Sequence, residues 1–180
     1  MTPEDLVPEI ETERLFLRGW SEKDMEGLER VVGHPLVRRA LRRRGPSADQ
    51  VRIGLHRIRR HWRKHGFGPW AAVDKESGRL IGHIGLEYLD DWPLEHRVEV
   101  GWVLHPYYWG RGLATEGGRA SVGFGLDKIG LDRIISTTFP DHTASRRVME
   151  KCDLTYRGTL FWEARAFEVV WYAIDREDSG

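Results

Sequence analysis

Apolar residues recur along this chain with two periods, and each period marks a different kind of element. Between Ser47 and Lys64, Val51, Leu55, Ile58 and Trp62 are spaced by four, three and four residues. That spacing stacks them on one face of a helix, while Arg52, Arg57, Arg59, Arg60 and Arg63 fall mostly on its other faces. An earlier helix is predicted over about 22–32, with Ser21 as N-cap, acids in its first turn and His34-Pro35 as its stop. A glycine-rich helix is predicted over about 111–128, with Leu113, Gly117, Ala120 and Phe124 in one stripe. Its internal Gly117, Gly118, Gly123 and Gly125 each cost about 1 kcal/mol relative to alanine, so close packing on a sheet is the expected compensation. A short helix capped by Asp141 or Thr143 runs to Lys151.

The remaining apolar segments are extended. They are Arg14–Arg18, Trp70–Val73, Leu80–Leu86, Arg97–Leu104, Arg133–Phe139, Leu154–Phe161 and Phe167–Ile174. Ser77-Gly78 and the polar link Asp90-Asp-Trp-Pro93 are short connections, which make the middle segments an antiparallel meander. The expected fold is α/β (α+β): a mixed, mostly antiparallel seven-stranded sheet flanked by about four helices. Residues 1–9 hold two prolines and no period and read as a tail; residues 10–175 read as one domain.

Composition narrows the picture. A length of 180 residues suits one domain of roughly 100–200. Lys+Arg and Asp+Glu both total 28, so the basic excess usual in a nucleic-acid binder is absent and that partner is not expected. Positive charge is nonetheless concentrated between Arg38 and Lys64. This run is either a solvated helix face or an attraction for an acidic acceptor. A single cysteine, Cys152, excludes an intramolecular disulfide and reads as a small buried apolar residue. No apolar run approaches the ~20 residues of a membrane span, and the acidic start lacks a signal-peptide core, so a cytoplasmic location is expected by default. His83, His105 and His142 have no zinc-like spacing, so no metal is expected. The eight tryptophans fill a core or line clefts, and with the closing strand pair they leave room for a homodimer.

The chemistry is concentrated in Val98–Glu116, where a strand runs through a turn holding Gly110 and Gly112 into a helix. Backbone N–H groups and the positive end of a helix dipole converge there, which suits phosphate. Gly110-Arg-Gly112-Leu-Ala-Thr115 lacks the third glycine of the dinucleotide fingerprint. Its strand also stands third in a meander, whereas that fingerprint opens a βαβ unit.

Trp109-Gly-Arg-Gly112-Leu-Ala114 resembles the acyl-CoA-binding loop of the GCN5-related N-acetyltransferases, with Trp109 where Gln or Arg is usual. The words His105–Glu116, Glu11–Arg18 and Pro140–Lys151 are similar, in order, to the branch that acetylates ribosomal-protein N-termini. The resemblance implies acetyl-CoA as co-substrate and an amine acceptor, either a peptide N-terminus or a small molecule. It places the pyrophosphate on Trp109, Gly110, Arg111, Gly112, Leu113, Ala114 and Thr115. It lays the pantetheine arm along Trp102, Val103 and Leu104, where the sheet splays. His142 stands where the family often has asparagine, Met149 where it has a tyrosine acid, and Asp153 where it commonly has glycine. Ser145 matches the serine near the thioester sulfur, and Arg146 could reach the cofactor's phosphates. Glu99 and Glu87 are the candidates for general base. Two other readings stay open: an acyl-CoA sensor without catalysis, and a nucleic-acid-binding domain using the arginine run.

Overall fold

The computed structural model describes residues 7–178. Among these residues eight strands form one sheet: β1 Ile10–Glu11, β2 Leu15–Arg18, β3 Pro69–Asp74, β4 Leu80–Tyr88, β5 Val98–Leu104, β6 Arg133–Thr138, β7 Thr155–Trp162 and β8 Phe167–Asp175. Their spatial order is β1-β2-β3-β4-β5-β6-β8-β7. Every neighbouring pair is antiparallel except β5 and β6. The meander expected in the middle is β3-β4-β5. The strand beyond the expected seven is β1, two residues pairing with Leu17 and Phe16, too short to leave a period in the sequence. Of the tail expected over residues 1–9, residues 1–6 lie outside the described residues. Pro8 is held in place, its carbonyl accepting from Trp70 Nε1 at 2.7 Å.

The helices are α1 Met25–Val32, α2 Pro35–Ala40, α3 Ala48–His65, α4 Leu113–Gly123 and α5 Thr143–Lys151. His34-Pro35 ends α1, as expected, but it also opens α2. His34 Nδ1 accepts from the Leu36 N–H at 3.2 Å, and Pro35 occupies the first position of the helix, where a missing N–H costs nothing. Ser47 and Gln50 cap α3 reciprocally, at 3.2 and 2.8 Å. The apolar face of α3 divides between two cores. Val51 and Leu55 join Trp20, Leu28, Ala71 and Leu80, while Trp62 enters the main core.

The glycine-rich helix is shorter than expected: α4 passes at Phe124 into a π-helical turn that ends at Ile129. The predicted compensation for its glycines is present. A Cβ on Gly117 would lie 2.5 Å from Ile84 Cδ1, on Gly118 2.8 Å from Cys152 Sγ, and on Gly125 2.6 Å from Ile134 Cδ1. The helix therefore sits closer to the β4–β5–β6 floor than any side chain would allow. Thus α4 covers the sheet face carrying Ile84, and α1 and α3 cover the opposite face around Ala71 and Leu80.

Candidate active site

Between β5 and β6 the sheet opens. The two strands share a single register pair, Glu99 with Ile135, and then diverge. The carbonyls of Val100 and Leu104 on this edge are taken by side chains, Ser136 Oγ at 2.8 Å and Trp109 Nε1 at 2.7 Å. Residue 102 lies two positions from each, so strand alternation turns its N–H and C=O the same way. Neither has a partner among the described residues. Val103 instead bonds toward β4, as the neighbouring His105 N–H does to Ile81 O. Of the three residues expected to meet the pantetheine arm, Trp102 alone therefore presents both a free donor and a free acceptor.

At the end of β5 the chain makes a single 3-10 turn, Pro106–Tyr108, then passes Gly110 (φ 71°) and Gly112 (φ 78°) into α4. Only glycine adopts both conformations without strain. The first hydrogen bond of α4 runs from the Glu116 N–H to Gly112 O at 3.0 Å. Among the described residues the N–H groups from Gly110 to Thr115 find no acceptor. They form an unsaturated donor cluster at a helix N-terminus.

Side chains hold this loop from outside. Arg14 Nη1 donates to Arg111 O at 2.7 Å, and Arg14 Nε to Glu116 Oε2 at 2.7 Å. Glu116 Oε1 also accepts from Thr12 Oγ1 and from the Arg14 N–H. Burial works against the Glu116 charge, but these donors outweigh it and hold the carboxyl below its usual pKa. The role of Trp109 at its off-pattern position is now visible: its indole ties the loop back to Leu104. The Arg111 guanidinium lies 4.4 Å from the centre of the Tyr107 ring.

The gap leads into a cavity of about 850 Å³. On its floor, facing pairs of β4 and β5 are His83 with Val103, Gly85 with Gly101, and Glu87 with Glu99. Gly101 leaves that floor bare, since a Cβ there would meet nothing within 4 Å. Glu99 Oε1 accepts from both the N–H (2.9 Å) and the hydroxyl (2.5 Å) of Thr137. Desolvation outweighs those bonds, and with repulsion from Glu87 it pushes the Glu99 pKa up to about 7. Glu87 is more exposed and pairs with Arg57 at 3.2 Å. At the other end of the floor burial pulls the His83 pKa down to about 4, and its Nδ1 has no hydrogen-bond partner.

The far wall carries His142 and Ser145, at the start of α5. The α5 N-cap is His142 itself rather than Asp141 or Thr143. Its Nδ1 lies 3.2 Å from Thr138 Oγ1, and burial lowers its pKa. Ser145 lines the cavity, and its hydroxyl forms no hydrogen bond within the described residues. Arg146 is held elsewhere: its Nε donates to Tyr172 OH at 3.0 Å and its Nη1 to Pro140 O at 3.1 Å. Met149 is fully buried. Cys152 is buried with its thiol pushed up to about 12 by desolvation, in keeping with a packing role.

Together these features make a phosphate-sized donor cluster, a split sheet edge and a carboxylate poised near neutrality. A family model described as an acetyltransferase (GNAT) domain matches residues 14–155. The chain belongs to the GNAT acetyltransferases. Over 150 residues it is 39% identical to an uncharacterized N-acetyltransferase, YnaD, of Bacillus subtilis strain 168, covering 83% of this chain and 84% of that one. A GNAT-family acetyltransferase from Bacillus anthracis superposes with a TM-score of 0.79 at 26% identity, covering 94% and 99% of the two chains. The ribosomal-protein-S5-alanine acetyltransferase from Vibrio fischeri shares the fold, with a TM-score of 0.71 at 16% identity over 95% and 98% of the chains. The protein is thus an acyltransferase, and members of its family draw the acetyl group from acetyl-CoA. The free N–H groups of the Gly110–Thr115 loop and the open edge at Trp102 fit that molecule.

Sequence reasoning missed His83 as a cavity residue and considered it only as a metal ligand. A signal was present: on β4, His83, Gly85 and Glu87 alternate with the apolar Ile84 and Leu86, marking a second face with its own purpose.

Proposed function

We propose that this GNAT enzyme acetylates a primary amine by direct attack on the thioester, with Glu99 as general base. The observation that carries this reading is a carboxyl group with a pKa near 7, held at the point where β5 and β6 part. A base matched to neutral pH serves best there. Glu87 is the weaker candidate because Arg57 already engages it.

In this reading the Gly110–Thr115 N–H groups bind the pyrophosphate, and the Trp102 carbonyl accepts from the pantetheine arm. The amine nitrogen attacks the thioester carbon; a C–N bond forms and the C–S bond breaks. Glu99 takes the proton the nitrogen gives up, directly or through water. The Trp102 N–H faces the oxygen on which negative charge grows. Ser145 donates a hydrogen bond to the departing sulfur. Arg146 is left out of the cofactor set, since Tyr172 and Pro140 hold its guanidinium. Trp109 acts through the loop's shape.

Calorimetric titration with acetyl-CoA, beside NAD and ATP, tests the cofactor half. Micromolar binding of acetyl-CoA alone is expected; binding of NAD or ATP in its place would overturn the assignment. Thiol release in the presence of an amine panel tests the transfer.

A further inference from the structure

We propose that the acceptor is a small amine bearing a carboxylate or phosphate, its anionic end received by Arg43 and Arg44 in the turn between α2 and α3. This rests on reading the cavity as the acceptor site. Both signs of charge line the cavity. Glu87 and Glu99 lie at one end of the bare Gly85–Gly101 floor. At the other side the connection from α2 to α3 brings Arg43 and Arg44 to the rim.

Three of the six arginines that line the cavity are already matched. Arg42 pairs with Asp141 at 2.7 Å, Arg57 with Glu87 at 3.2 Å and Arg165 with Asp91 at 3.0 Å. Among the described residues the side chains of Arg38, Arg43 and Arg44 form no ion pair and no hydrogen bond, and Arg43 and Arg44 stand side by side on the connection to α3. The proximity of Arg43 also contributes to the depressed pKa of His83. His83 adds a second, independent sign of a polar ligand: its Nδ1 is buried, unpartnered and part of the cavity lining. Such an atom is uncommon in a folded protein and is open to a polar ligand or a water.

An ammonium drawn to Glu99 and an anion drawn to Arg43 and Arg44 describe one bipolar molecule lying across the glycine floor. The volume of about 850 Å³ falls in the small-ligand range of roughly 300–1,000 Å³. A polyamine would meet the same arginines as like charges.

The test is thiol release from acetyl-CoA with paired amines: amino acids against their amides, and phosphoethanolamine against ethanolamine, with spermidine as the polycation. The expected result is a preference of at least tenfold in kcat/KM for the anionic member of one pair, with spermidine a poor substrate. The responding pair distinguishes carboxylate from phosphate. Arg43→Gln and Arg44→Gln should each cut that ratio at least fivefold, which corrects for differences in amine basicity. Arg39→Gln, outside the cavity, should leave the ratio unchanged. Preference for neutral amines or spermidine, or a ratio indifferent to Arg43 and Arg44, would overturn this proposal alone. Failure of the wild-type protein to bind acetyl-CoA in calorimetry would overturn the acetyltransfer reading beneath it.

Discussion

The two ends of the cleft are built from different materials. At the end proposed for the cofactor the available groups are backbone: the N–H row from Gly110 to Thr115 and the free edge of Trp102. Side chains there brace rather than touch, as Arg14, Glu116 and Trp109 show. At the end proposed for the acceptor the available groups are side chains on a floor stripped bare by glycine, and two of them, Glu99 and His83, have strongly displaced pKa values. A backbone site needs only the right φ angles, so it is written in a few glycines and survives change around them. A side-chain site depends on which residues the fold brings together from β4, β5, α3 and the α2–α3 turn.

That contrast can be broken by substitution. The largest effect is expected for Glu99→Gln, with kcat reduced by about 10²–10³ at pH 7.5 and acetyl-CoA affinity unchanged; rapid kinetics and calorimetry separate the two. A parallel loss of acetyl-CoA binding would mean that the ends are not independent. The mirror experiment is Gly112→Val. Its φ of 78° is strained for a β-branched residue by about 1–3 kcal/mol, and the Cβ crowds the pyrophosphate. Acetyl-CoA affinity should fall about 100-fold in calorimetry, a loss of about 2.7 kcal/mol.

Smaller effects sharpen the boundary. Gly101→Val adds bulk where a Cβ meets nothing. It should raise the acceptor KM about tenfold while the melting temperature stays within about 2 °C, because no core contact is disturbed. Trp109→Phe removes the donor to Leu104 O, a bond worth about 0.5–1.5 kcal/mol. Acetyl-CoA affinity should drop a few-fold, with the acceptor KM unmoved.

The same split governs what the sequence disclosed. The Gly110–Gly112 turn, its strand and its helix are contiguous, and their glycines state their own conformational need. The sheet was legible strand by strand except for β1, whose two residues carry no period. The π-helical end of α4 was not, since the stripe from Leu113 to Phe124 is compatible with either helix. In the acceptor end, Glu99 and Glu87 could be named as candidates, but their ranking depended on what each touches: Thr137 for one, Arg57 for the other. Arg146 shows the same limit in reverse. Its position beside Ser145 suggested phosphate, and only the packing of β8 against α5 shows it turned to Tyr172.

Burial of Glu99 also has a cost in stability. Its folded pKa of about 7 lies above the ordinary glutamate value of 4.5, so the native state binds the proton more tightly than the unfolded chain. The stabilisation this provides is complete below about pH 4.5 and is lost as pH rises through 7. The melting temperature of Glu99→Gln should therefore gain on wild type between pH 5 and about 8.

The most direct test of the central claim is the pH dependence of kcat/KM for wild type and Glu99→Gln, at saturating acetyl-CoA and with one responsive amine. The account predicts a rising limb with an apparent pKa near 7 in wild type that is absent from the variant. An identical limb in both proteins would contradict it, because the group that must lose its proton would then not be Glu99.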